Sequence, residues 1–173
     1  MVNKLSIGDS APDFTRNAIN LGHEITLSEI LKEKPVLLIF SRYFGCPVCQ
    51  SDFDKLQENL ESINEKVQVI YVTQSREETI KDFIKNMDIS FPIISDPESP
   101  YPLYEMYKIG RVNLLTLAKM GKTVITTKYK HGPHEGYEKQ SPADFIIDRD
   151  GKIIHRNYSL FNMKKIRKAL ENL

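Results

Sequence analysis

The chain has 173 residues, 40% of them hydrophobic and 27% charged, which suits one soluble globular domain over residues 1–173 with a core of its own. Its formal net charge of +1 implies no broad attraction to nucleic acid or anionic lipid, and its apolar runs are too short to span a bilayer. The opening Met-Val-Asn-Lys-Leu-Ser lacks the apolar centre of a signal peptide, so a cytoplasmic protein with no membrane contact is the expectation.

In chain order, a Gly8-Asp-Ser-Ala-Pro-Asp-Phe14 turn leads into two short alternating segments, around residues 14–19 and 24–27. Ser28 is placed to cap a brief helix ending near Lys34. Residues 36–41 form an unbroken apolar run, as expected of a central strand covered on both faces. A helix is expected from Pro47 to about Asn64, with Phe53, Leu56, Leu60 and Ile63 facing the core. Residues 67–73 read as the next strand. Ser75-Arg-Glu-Glu78 resembles a capping box opening a helix that runs to about Met87.

A third strand over 91–95 and a short helix over 101–109 follow, with Tyr101, Tyr104 and Tyr107 at packing intervals. Residues 111–140 read as a helix over 112–120, a β-rich stretch over 123–129 and a Gly/Pro loop, 131–136. His131 and His134 in that loop are expected to face solvent, and Lys119, Lys122, Lys128 and Lys130 to form a solvated face. Asp150-Gly151 supplies the tight turn of a hairpin over 145–155, and residues 162–173 close the chain as an amphipathic helix. This order gives an α/β fold with a central mixed sheet flanked by helices.

Cys46 and Cys49, the only cysteines, lie in Phe44-Gly-Cys-Pro-Val-Cys49 between the apolar strand and the helix. A helix N-terminus stabilises an anion, and for Cys46 that anion is the thiolate, the reactive form of a cysteine. Pro47 suits the first helical position, and Cys49 lies one turn further in, within reach of a mixed disulfide on Cys46. The competing reading is a pair of buried thiols or half a zinc site, with His131-x-x-His134 adding two nitrogens. That histidine spacing is shorter than usual and the cysteines open a helix, so the redox reading leads. Arg42, the nearest cation in sequence, either lowers the Cys46 pKa or makes a surface ion pair.

Three segments carry a family resemblance: Ile7-Gly-Asp-Ser-Ala-Pro-Asp-Phe14, the run from Leu27 into Phe40, and Ser141-Pro142-Ala-Asp-Phe145-Ile-Ile-Asp148-Arg-Asp-Gly151. Together they resemble the thioredoxin-fold superfamily, in its alkyl hydroperoxide reductase/thiol-specific antioxidant (peroxiredoxin-like) branch. The resemblance implies a thioredoxin-like fold with an N-terminal extension and an insertion before the last hairpin. It implies that Cys46 attacks a peroxide or disulfide and Cys49 resolves, with no dissociable cofactor and no metal. A thioredoxin- or glutathione-type reductant is implied, as is a homodimer, for which no residue marks an interface.

The departures from the family pattern bear on mechanism. Ile39 and Tyr43 stand where peroxiredoxins carry the proline and threonine of their cysteine motif, and Pro142 replaces their arginine. Proline there resembles the disulfide-exchanging members, which implies a cis Ser141–Pro142 bond and a Ser141 backbone free to pair with substrate. Ser141, Pro142 and Arg42 are accordingly the expected substrate-binding residues. The strand before the motif lacks the aspartate of thioredoxins, which leaves the proton acceptor unassigned. The alternative function is a non-catalytic thioredoxin-fold module binding zinc through Cys46, Cys49, His131 and His134.

Overall fold

The computed structural model describes residues 4–173. A two-stranded antiparallel ribbon opens it, β1 (Thr15–Ala18) against β2 (His23–Thr26), followed by α1 (Leu27–Glu33). The central strand β3 (Val36–Phe40) leads through a short loop to α2 (Pro47–Glu58), α3 (Leu60–Asn64) and β4 (Gln68–Thr73). Then come α4 (Glu77–Ile84), β5 (Ile93–Ser95), α5 (Pro102–Met106) and α6 (Leu114–Thr126). The hairpin β6 (Ala143–Ile147) and β7 (Ile153–Asn157) precedes α7 (Met163–Leu170).

The main sheet has strand order β5-β4-β3-β6-β7, with β3, β4 and β5 parallel and β6 and β7 antiparallel. All five β3 residues are buried, because both faces of this strand are covered. Val36, Leu38 and Phe40 point into a layer with Leu27 and Leu31 of α1 and Leu103 and Tyr104 of α5. Leu37 and Ile39 point the other way, toward Phe53 and Leu56 of α2, Ile80 of α4 and Ile166 of α7. The period-2 alternation of the strand thus sorts one apolar run into two cores.

Four local expectations change. The helix after the cysteines breaks at Asn59 into α2 and α3, and Asn59 Nδ2 donates to the Lys55 carbonyl at 2.7 Å. Ser28 lies inside α1 and does not cap it; its amide donates to Asp13 Oδ1 at 3.0 Å, so the cap comes from the preceding turn. The Ser75 hydroxyl caps nothing in α4 because it accepts from the Phe44 amide at 2.8 Å. Residues 123–126 continue α6 and form no strand. Asn113 Oδ1 caps that helix through the Thr116 amide at 2.8 Å, and the helix once started carries through the β-branched residues.

Candidate active site

The loop from Ser41 to Cys46 joins the C-terminal end of β3 to α2 and is fixed at nearly every polar group. The Ser41 amide donates to the Val72 carbonyl (2.8 Å), and Thr73 Oγ1 donates to the Arg42 carbonyl (3.0 Å). Tyr104 OH donates to the Ser41 carbonyl (2.6 Å), Ser75 holds the Phe44 amide, and the Gly132 amide donates to the Gly45 carbonyl (2.8 Å). The Phe44 ring stacks on Phe83 of α4 with centroids 4.1 Å apart. A loop held this way presents Cys46 at the N-cap of α2 with Pro47 at the first helical position.

Cys46 and Cys49 are both free thiols and approach to 3.3 Å. They are 3% and 5% exposed, beneath Met120 of α6, Val112 and Leu160. Their acidities diverge. The Cys46 pKa is lowered to about 6, first by a hydrogen bond from Cys49; burial opposes this, while Arg42 and the Val48 and Cys49 amides add to it. The Cys49 thiol is pushed well up, first by burial, then by its hydrogen bond to Cys46 and by the Cys46 charge.

Arg42 is buried, and its Nη1 donates to Cys46 Sγ at 3.6 Å. Its Nη2 donates to the Glu138 carbonyl, and its guanidinium lies 5.4 Å from the centre of the Tyr43 ring. The structure thus places Arg42 beside the Cys46 thiol, and no carboxylate pairs with it among the described residues.

Pro142 lines a cavity of about 20 Å³, room for about one water, shared with Cys49, Ser41, Asp52, Tyr71 and Asp144. The cis bond expected at Ser141–Pro142 is absent; the cis X–Pro bond among the described residues is Ser99–Pro100. Trans is the ordinary preference of an X–Pro bond, and here the Ser141 amide already donates to the Gly110 carbonyl at 3.0 Å. Residues 110–112 therefore occupy the backbone edge expected to await a substrate, with Arg111 paired to Gln140.

His131 and His134 are exposed, as expected, yet both face the Tyr43 ring, with centroids 6.0 and 4.8 Å away. His131 Nδ1 lies 2.8 Å from the Gly132 carbonyl, which makes it the donor and leaves Nε2 to accept from Tyr43 OH at 3.1 Å. Burial, then the Cys46 charge, pushes the Tyr43 pKa up to about 12, so it keeps that proton. Among the described residues no three His, Cys, Asp or Glu side chains are grouped to hold a metal ion. The four-residue zinc shell is not assembled.

Two contributors were missed in the sequence. Asp52 follows Cys49 by three positions, on the same face of α2, and lines the same cavity. Burial raises its pKa above the carboxylate norm, although Lys55 Nζ donates to its Oδ1 at 2.9 Å. The i, i+3 spacing from Cys49 was the signal available. Glu135 was the other: its Oε1 accepts from the Arg76 amide (3.2 Å) and Thr79 Oγ1 (2.9 Å), tying the insertion to the start of α4.

Residues 7–156 match the AhpC/TSA family. The chain belongs to that family. The thiol-disulfide oxidoreductase ResA of Bacillus cereus is 28% identical over 155 residues, 88% of this chain and 70% of that protein. Among solved structures, the 2-Cys peroxiredoxin of Plasmodium vivax superposes with a TM-score of 0.71 at 16% identity, covering 95% of this chain and 80% of that one. The thioredoxin domain of a Bacteroides vulgatus thiol-disulfide oxidoreductase gives 0.65 at 19% identity, covering 98% of each. These structures establish the thioredoxin-like fold. Family and relatives together point to thiol-dependent oxidoreductase chemistry.

Proposed function

We propose that this AhpC/TSA member is a thiol-disulfide oxidoreductase in which Cys46 and Cys49 cycle between dithiol and disulfide. The reading is carried by two free thiols 3.3 Å apart whose acidities are driven in opposite directions. The Cys46 thiolate attacks a substrate disulfide; one sulfur–sulfur bond forms, another breaks, and the first substrate thiolate leaves. Cys49 then loses its proton and attacks the mixed disulfide. The second substrate thiolate leaves and Cys46–Cys49 is bonded. The substrate gains two electrons, and an external thiol reductant of thioredoxin or glutathione type returns them to the protein.

Arg42 holds Cys46 ionised. Asp52, a half-buried carboxylate lining the cavity shared with Cys49, takes the Cys49 proton directly or through the one water the cavity has room for. Pro142 closes that cavity and acts by shape.

Peroxide reduction is the second reading. It is favoured by the burial of Cys46 at 3% exposure, which a two-oxygen oxidant enters more readily than a protein chain, and by the Arg42 guanidinium beside the thiol. In that cycle the Cys46 thiolate bonds one peroxide oxygen, the O–O bond breaks and the other oxygen leaves as water; Cys49 then bonds to Cys46, the sulfenic hydroxyl leaves as a second water, and the same external thiol reductant returns both thiols. The deciding experiment mixes reduced protein with one equivalent of hydrogen peroxide or of a small disulfide and follows thiol loss. Faster loss to the disulfide supports the first reading. Faster loss to peroxide overturns it in favour of the second.

A further inference from the structure

Helix α6 touches the rest of the protein along one narrow stripe. Thr116 and Met120 are buried and Thr123 is half-buried, at positions i, i+4 and i+7. The opposite side is apolar and uncovered: Leu114 and Ile125 are each 85% exposed, Leu117 lies toward one flank with Val124, and Leu115 stands exposed on the other flank. Five of the nine large hydrophobic side chains exposed among the described residues are on this one helix. Scattered exposed apolar residues are ordinary; a concentration of this kind marks a contact surface.

Charge indicates what covers it. Residues 111–134 contain no aspartate or glutamate but hold Arg111, Lys119, Lys122, Lys128 and Lys130. Lys128 pairs with Asp54 at 3.2 Å, and the other four have no carboxylate within 4 Å among the described residues. At 100° per residue, Lys119 and Lys122 fall on one flank of the helix, on either side of Leu115, between the Leu114/Ile125 ridge and the protein body. Long lysine stems on such a flank extend toward headgroups while the ridge enters apolar surroundings.

A second copy of the chain fits poorly. Antiparallel pairing across Ala118 and Gly121 would bring the Lys119 and Lys122 flanks of both helices to one seam, where like charges repel. A protein partner would need a groove to receive this convex ridge. An anionic lipid surface has the opposite charge and moulds itself to a ridge. No helix among the described residues is long and apolar enough to cross a membrane, so the contact is one of lying on it.

We propose that α6 docks the protein onto anionic phospholipid bilayers. Leu114, Leu117 and Ile125 enter the boundary between headgroups and acyl chains, and Lys119, Lys122 and Lys130 engage the lipid phosphates. A net charge of +1 conceals this local basic patch, which is why whole-chain composition gave no expectation of membrane contact.

The test is flotation of the full chain with vesicles of phosphatidylcholine containing about one-third phosphatidylglycerol, against pure phosphatidylcholine vesicles. The expected result is binding to the anionic vesicles about tenfold or more above the neutral ones, weakening as salt rises. Leu114→Ser with Ile125→Ser, and separately Lys119→Glu with Lys122→Glu, each lowers that binding about tenfold or more. All four positions are exposed, so melting temperature and the rate with a small disulfide stay at wild-type values. Failure to bind anionic vesicles, or equal binding to neutral ones, overturns the proposal. A dimer that the Leu114/Ile125 variant dissolves, with no vesicle binding, overturns it in favour of a second copy.

Discussion

Arg42 Nη1 stands 3.6 Å from Cys46 Sγ, four residues away in sequence and buried with it. The contact puts a permanent cation against the thiol expected to attack, and its consequence is measurable as a pH profile. With the Cys46 pKa at about 6, alkylation by a small reagent should be half-maximal near that pH and level by neutrality. Arg42→Met should move the midpoint upward and slow alkylation at pH 7, while Arg42→Lys should restore part of the shift. The same displacement affects stability of the reduced protein. The folded pKa lies below the ordinary thiol value of 9.0, so the thiolate's contribution is fully present above that value and is lost as pH falls through about 6. An unchanged midpoint in Arg42→Met would remove Arg42 from the mechanism.

Asp52→Asn separates the two chemical steps. Attack by Cys46 should proceed at close to its wild-type rate, because the acceptor sits on the Cys49 side of the site. Resolution by Cys49 should slow about a hundredfold at neutral pH, as is typical when a general base is removed. Stopped-flow detection of the first and second leaving thiols reads both rates in one experiment.

Gly45 has no room for a side chain. A Cβ there would fall 2.2 Å from the Pro133 carbonyl oxygen, against backbone that also bonds Gly45 through the Gly132 amide. Gly45→Ala should therefore push the 131–134 loop off the cysteine motif at a cost of roughly 1–3 kcal/mol in stability. Gly110→Ala, where nothing lies within 4 Å of the new carbon, is the matched control and should change little. Denaturant midpoints of the two variants make the comparison.

Glu135 ties the insertion to the scaffold at the N-terminus of α4. Glu135→Ala should cost about 1 kcal/mol, the usual value of a lost helix cap, or roughly 2–4 °C in melting temperature for a chain of this size. Limited proteolysis should then cut first within residues 127–136.

The sequence exposed those parts of the fold that depend on local pattern. The apolar run of β3, the Asp150-Gly151 hairpin and the Cys46/Cys49 placement at the mouth of α2 each follow from a periodicity or a turn chemistry visible within ten residues. What stayed hidden depends on partners distant in sequence. Ser75 reads as a helix cap until Phe44 is seen to claim its hydroxyl, and Glu135 shows no role until α4 lies beside it. The β-branched run Thr123-Val-Ile-Thr126 suggested strand, but Asn113, ten residues earlier, has already started a helix that runs through it. At Ser141–Pro142, chemistry borrowed from relatives pointed to a cis bond, whereas residues 110–112 already occupy the adjoining backbone edge.

The most direct test of the redox account is mass spectrometry of the reduced chain after one equivalent of a small disulfide, quenched in acid and run beside Cys49→Ser. The account predicts that the wild type ends as a Cys46–Cys49 disulfide carrying no adduct, and that Cys49→Ser stops as a stable mixed disulfide on Cys46. A wild-type chain that keeps the adduct, or keeps both thiols, would contradict it.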